Sequence, residues 1–121
     1  MPINTILVVD DSPTERQALE DLLTRQGYRV LTAESGEQAI ARSQADKPDL
    51  ILMDVVMPGM NGYQATRTIT RHDSTRHIPV ILCTSKGQET DKIWGMRQGA
   101  RAYLVKPVNH DDLLAQIRAL G

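Results

Sequence analysis

Cysteine is nearly absent from this chain. Cys83 is the only one, so neither an intrachain disulfide nor a cysteine zinc site can form. There is no phenylalanine, and Tyr28, Tyr63, Tyr103 and Trp94 are the only aromatics, which argues against a base-stacking platform. No excess of either charge exists. Lys plus Arg total 14 and Asp plus Glu total 15, for a net charge of -1, whereas a general nucleic-acid binder carries a basic excess. No apolar run approaches the ~18 residues of a membrane span. The start, Met1-Pro2-Ile3-Asn4-Thr5, lacks the charged and apolar regions of a signal peptide. These absences lead us to expect a cytoplasmic domain that binds neither nucleic acid nor membrane. The length of 121 residues suits one domain over 1–121, with a core that needs no metal or disulfide staple.

What is present is alternation. Ile6–Val9 is a short β-branched run ending in Asp10-Asp11. Ser12, Pro13 and Glu15 then read as a helix start, with Ser12 capping, Pro13 in the first turn and Glu15 completing a capping box. Ala18, Leu19, Leu22 and Leu23 form that helix's apolar face, and Gly27 stops it. Tyr28–Thr32 is a weaker strand, and Gly36–Asp46 a helix with Ala39 and Ile40 inward. Leu50–Met53 is apolar throughout, as expected of a central parallel strand covered on both faces. A loop, Met57–Gly62, and a helix, Tyr63–His72, follow. Ile78–Cys83 is the fourth strand, Glu89–Gln98 the fourth helix, Ala102–Val105 the fifth strand, and Asn109 caps the last helix. Five β-α units predict an α/β fold, a parallel sheet with helices on both faces.

Ligands of such sheets bind beyond the carboxyl ends of the strands. Those ends carry Asp10 and Asp11, then Asp54, then Thr84 and Ser85, then Lys106. If the first, third, fourth and fifth strands are neighbours, these groups converge. Clustered carboxylates repel one another, and a hard cation such as Mg²⁺, with its preference for oxygen ligands, relieves that repulsion. Lysine and threonine opposite suit a phosphoryl group. No Gly-rich phosphate loop is present, so the group is expected to become covalent on a carboxylate, as an aspartyl phosphate.

Asp10-Asp11, Asp54 with Met57-Pro58-Gly59, Thr84-Ser85 and Lys106-Pro107, in this order and at strand ends, resemble the receiver domain of bacterial two-component response regulators of the chemotaxis type. The resemblance covers essentially the whole chain. The stretches Val9–Glu15, Tyr63–Arg67 and Gln88–Lys92 are similar to the stand-alone regulators of type IV pilus twitching-motility systems. The resemblance implies a five-stranded, flavodoxin-like, doubly wound (βα)5 fold with strand order 2-1-3-4-5. It implies Asp54 as phosphoacceptor, Asp11 and Asp54 as direct Mg²⁺ ligands, Asp10 acting mostly through water, and the backbone carbonyl of Val56 as a further ligand. Thr84 would hydrogen-bond the phosphoryl group, Lys106 would pair with it, and the Lys106-Pro107 bond would be cis. Tyr103 would be the switch aromatic, turning inward as Thr84 moves toward the phosphate. Val56 and Lys86 would flank the path of hydrolytic water.

Blander readings stand beside these. Asp10-Asp11 can cap the first helix, and Tyr103 can be half-buried packing. Cys83 reads as a small core residue. Ile93, Met96 and Ala100 share the expected core face of the fourth helix, leaving Trp94 partly exposed, as packing or as a partner anchor. His72, His77 and His110 have no ligand spacing. The expected function is a single-domain receiver, monomer or weak dimer, phosphorylated by a histidine kinase and not a conventional enzyme. With the chain ending at Gly121, no output domain is expected. Its output would be a protein contact through the fourth helix, fifth strand and fifth helix, or a phosphate sink. A phosphorylation-independent adaptor is the alternative, and a metal-dependent phosphohydrolase a remoter one.

Overall fold

The computed structural model describes residues 2–121. In chain order the elements are β1 (Thr5–Val9), α1 (Pro13–Arg25), β2 (Arg29–Ala33), α2 (Gly36–Asp46), β3 (Leu50–Met53), α3 (Gly62–Arg71), β4 (Val80–Thr84), α4 (Glu89–Arg97), β5 (Ala102–Val105) and α5 (His110–Leu120). All strand pairs are parallel, and the sheet order is β2-β1-β3-β4-β5. This is the doubly wound order that the family resemblance implied.

Alternation along each strand divides the core in two. Ile6, Val8, Leu50, Leu52, Ile81 and Cys83 face α1 and α5, meeting Leu22, Leu23, Leu113, Leu114 and Ile117. Leu7, Val9, Ile51, Met53, Val80 and Leu82 face the other way, meeting Ala39, Tyr63, Ala65 and Ile69. Both faces of β3 are covered, which is why it reads as an unbroken apolar run. Cys83 is a buried core thiol, its pKa pushed up to about 12 chiefly by burial.

Several boundaries move for local physical reasons. Tyr28 serves the end of α1 instead of β2. Its N–H donates to Leu23 O at 3.1 Å, and Gly27, at φ 94, donates to Thr24 O at 3.0 Å. This Schellman arrangement needs a left-handed residue, and Gly27 supplies it. β4 begins at Val80 because Pro79 has no N–H to give the ladder, while its carbonyl still accepts from Ile51 N at 3.0 Å.

Two expected helix faces are corrected. Ala18 is exposed: at about 100° per residue it lies about 140° round the axis from Leu23, on which α1 packs. On α4, Ile93 and Met96 are 45% and 41% exposed, while Gly95, Gln98 and Ala100 are buried. The cause is one close approach. A Cβ on Gly95 would lie 2.8 Å from Leu82 Cδ1 and 2.9 Å from Tyr103 Cδ2. The helix therefore settles on its glycine and turns its larger apolar side chains outward.

Candidate phosphoryl site at the strand ends

The ends of β1, β3 and β5 bring their polar groups together. Asp10 is buried to 1% exposure. Its Oδ1 accepts from Ser12 N at 2.9 Å and its Oδ2 from Lys106 Nζ at 3.0 Å. Asp54, at 7% exposure, accepts from Val55 N at 2.7 Å through Oδ1, and its Oδ2 lies 3.4 Å from Lys106 Nζ. Arg16 Nη1 donates to Asp10 O at 2.8 Å, tying α1 to the end of β1. The Lys106-Pro107 peptide is cis, as the resemblance implied. Asp11, Glu15, Asp54, Val56, Ser85, Lys106 and Pro107 line a cavity of about 460 Å³.

Asp10, Asp11 and Asp54 each offer a carboxylate oxygen, all within 4.8 Å of one another. A donor set of carboxylate oxygens fits a small hard cation such as Mg²⁺. Val56, expected to add its carbonyl, lines the same cavity. Thr84 is fully buried at the end of β4, and its Oγ1 accepts from Lys86 N at 3.3 Å. The Lys86 ammonium lies 4.0 Å from Asp91 Oδ1 on α4.

Glu15 departs from its expected part. Ser12 Oγ accepts from Glu15 N at 3.3 Å, but Ser12 N–H is taken by Asp10, so the capping box is not completed. The Glu15 carboxylate instead lies 3.1 Å from Lys106 Nζ. The Lys106 ammonium thus lies within 3.4 Å of three carboxylates, donating a hydrogen bond to Asp10 and pairing by charge with Glu15 and Asp54. Burial opposes its charge, but the hydrogen bond it donates to Asp10 and the charges of Asp54 and Asp10 outweigh burial and hold its pKa above the usual lysine value.

Asp54 is displaced upward. Burial is the main cause, the Asp10 charge adds to it, and Lys106 only partly opposes it. A carboxylate whose folded pKa exceeds its unfolded pKa costs stability when ionised. Without Mg²⁺ at neutral pH, Asp54→Asn should therefore raise stability by about 1 kcal/mol, or roughly 3–5 °C in Tm. The gain should begin to shrink as pH falls through the raised pKa and be gone below the ordinary aspartate value, where Asp54 is neutral in the folded and the unfolded chain alike. Thermal melts of both proteins across that range check this, and a variant less stable at neutral pH contradicts it.

Tyr103 is already inward, at 8% exposure. Its hydroxyl donates to Lys86 O at 2.6 Å and lies 3.3 Å from Tyr63 Oη. Tyr63, at 7% exposure, also donates to Asp91 O at 3.1 Å. Burial, then the Tyr63 contact, hold the Tyr103 phenol above its ordinary pKa. Sequence reasoning passed over the Tyr63 hydroxyl, Gly95 and the Glu15–Lys106 pair. Each depends on a partner far along the chain and leaves no local pattern.

A parallel α/β sheet with acidic groups and a lysine at its carboxyl edge defines a class, and residues 6–118 match the response regulator receiver domain family. The chain belongs to that family. It is 55% identical over 115 residues to PilH of Pseudomonas aeruginosa, covering 95% of both chains. It is 44% identical to PleD of Caulobacter vibrioides, of which it spans 25%. The chemotaxis protein CheY4 of Vibrio cholerae superposes with a TM-score of 0.91 at 32% identity, covering 98% of this chain and 99% of that one. The receiver domain of the sensor histidine kinase PA1611 of P. aeruginosa, solved with magnesium in its active-site cleft, gives 0.89 at 32% identity, covering 97% and 96%.

Proposed function

We propose that this receiver domain takes a phosphoryl group from a histidine kinase onto Asp54, with Mg²⁺ bound at Asp10, Asp11, Asp54 and the Val56 carbonyl. The observation that carries the reading is Lys106 Nζ, 3.0 Å from Asp10 Oδ2 and 3.4 Å from Asp54 Oδ2 at the mouth of one cavity. A carboxylate nucleophile must be ionised and must meet an anionic phosphoryl group. The ammonium serves both needs, favouring the ionised carboxylate and pairing with phosphoryl oxygens as charge develops. Asp54 attacks phosphorus, the bond to the donor's imidazole breaks, and Thr84 donates its hydroxyl to a phosphoryl oxygen. Bound Mg²⁺ would supply charge neutralisation for the carboxylates and the phosphoryl oxygens. The domain modifies itself and turns over no separate substrate.

The output we assign to α4, β5 and α5. Of the five large hydrophobic side chains exposed among the described residues, Ile93, Trp94, Met96 and Val105 lie on α4 and β5. An exposed apolar cluster marks a protein contact, and Trp94, 49% exposed, suits an anchor. The resemblance and the 55% identity to PilH support a type IV pilus twitching-motility or other chemotaxis-like pathway. No described helix is long and apolar enough to cross a membrane.

The test is label transfer from a phosphohistidine donor. A chain that binds its partner equally well labelled and unlabelled is the adaptor instead. For the metal, Asp11→Ala should weaken Mg²⁺ binding at least about tenfold, because a ligand and a negative charge are lost together. Mg²⁺ titrations followed by amide chemical shifts check this, and unchanged affinity moves the metal elsewhere.

A further inference from the structure

The Tyr63 and Tyr103 hydroxyls share three contacts but hold only two protons. Tyr103 donates to Lys86 O at 2.6 Å. The Tyr63 proton then lies between Asp91 O at 3.1 Å and Tyr103 Oη at 3.3 Å. Tyr63 on α3 thus joins the first turn of α4 to the side chain on β5. Packing alone does not call for this hydroxyl, since a phenylalanine ring fills the same space and Tyr103 already has Lys86 O as its acceptor. The Tyr103 ring lies in the slot that Gly95 leaves open, 2.9 Å from where a Cβ would stand. Swinging outward would empty that slot and break both Tyr103 contacts. Lys86 connects this latch to the acidic site, since its N–H donates to Thr84 Oγ1 at 3.3 Å while its carbonyl holds Tyr103.

We propose that Tyr63 is a positioning residue that latches Tyr103 inward before any phosphoryl group arrives, so that the resting chain already presents the inward-tyrosine form of its α4–β5 surface. The inference rests on Tyr103 being the switch of a phosphoryl-accepting domain. Its consequence is that phosphorylation has little left to change at Tyr103 itself.

The experiment is nuclear magnetic resonance on the full chain, reading the Overhauser contact between Gly95 Hα and the Tyr103 ring, with and without beryllium fluoride plus Mg²⁺ as phosphoryl analogue. In wild type the contact should be strong and unchanged by the analogue. In Tyr63→Phe, which keeps the ring, the inward-to-outward ratio should fall about fivefold, the worth of one hydrogen bond. The analogue should then restore it, a response that a merely structural role for the hydroxyl would not produce. A wild-type Tyr103 that is outward without the analogue overturns the proposal on the unaltered chain. So does a Tyr63→Phe protein with the wild-type ratio. If Tyr63→Phe releases Tyr103 and the analogue fails to bring it back, the latch stands and the phosphoryl reading of Asp54 falls.

Discussion

Incubated with acetyl phosphate and Mg²⁺, the wild-type chain should gain one phosphoryl group, and Asp54→Ala should gain none. Three carboxylates share the cleft, so selectivity has to come from their surroundings. Asp10 is committed on both oxygens, to Ser12 N–H and to Lys106. Asp11 is exposed, where solvent competes for any charge partner. Asp54 combines burial, an amide donor at 2.7 Å and Lys106 at 3.4 Å. That combination holds the nucleophile in place beside the cation that stabilises the arriving phosphoryl charge. Intact-protein mass reads the result directly. Equal labelling of Asp54→Ala would place the acceptor elsewhere and overturn the proposed function.

Gly62→Ala should be among the most damaging single changes, lowering stability by about 3 kcal/mol and Tm by about 10 °C. Gly62 opens α3, and its N–H closes the loop from β3 by donating to Val55 O at 2.9 Å. A Cβ there would overlap the Asp54 carbonyl oxygen and stand 2.8 Å from both Asp54 C and Val55 Cα. These are backbone atoms of the segment that carries the proposed nucleophile, so no side chain can turn aside to make room. Gly27→Ala is the comparison. At φ 94 with nothing within 4 Å of its Cβ, it should cost only about 1 kcal/mol, through backbone conformation alone. Thermal melts of the two variants separate the causes. A Gly62→Ala protein within 1 kcal/mol of wild type, by the same melts, would mean that α3 shifts freely. In that case the Asp54 loop is softer than its contacts imply.

Much of this was legible in the chain itself. The apolar run Leu50–Met53, the β-α alternation and the capping residues Ser12 and Asn109 are local patterns, because a strand or helix writes its own period and its own ends. Asp10, Asp54 and Lys106 were legible for a related reason. A parallel sheet brings every carboxyl end to one edge, so position along each strand predicts a meeting once the strand order, which the family resemblance implied, makes those strands neighbours. Local pattern alone was therefore enough for the parallel sheet and for the polar groups at its carboxyl edge. The tertiary structure decided where each side chain's partner lies. Glu15 could serve its own helix or a lysine 91 positions away, and Asp10 settled the matter by taking the Ser12 amide. Helix α4 carries its apolar side chains Ile93, Trp94 and Met96 over less than half of its circumference, and the slot beside Leu82 and Tyr103 admits only its glycine. That single close approach turned Ile93 and Met96 to solvent. Periodicity ranks the faces of a helix by hydrophobicity, but the space left by the neighbouring strands decides which face packs against them.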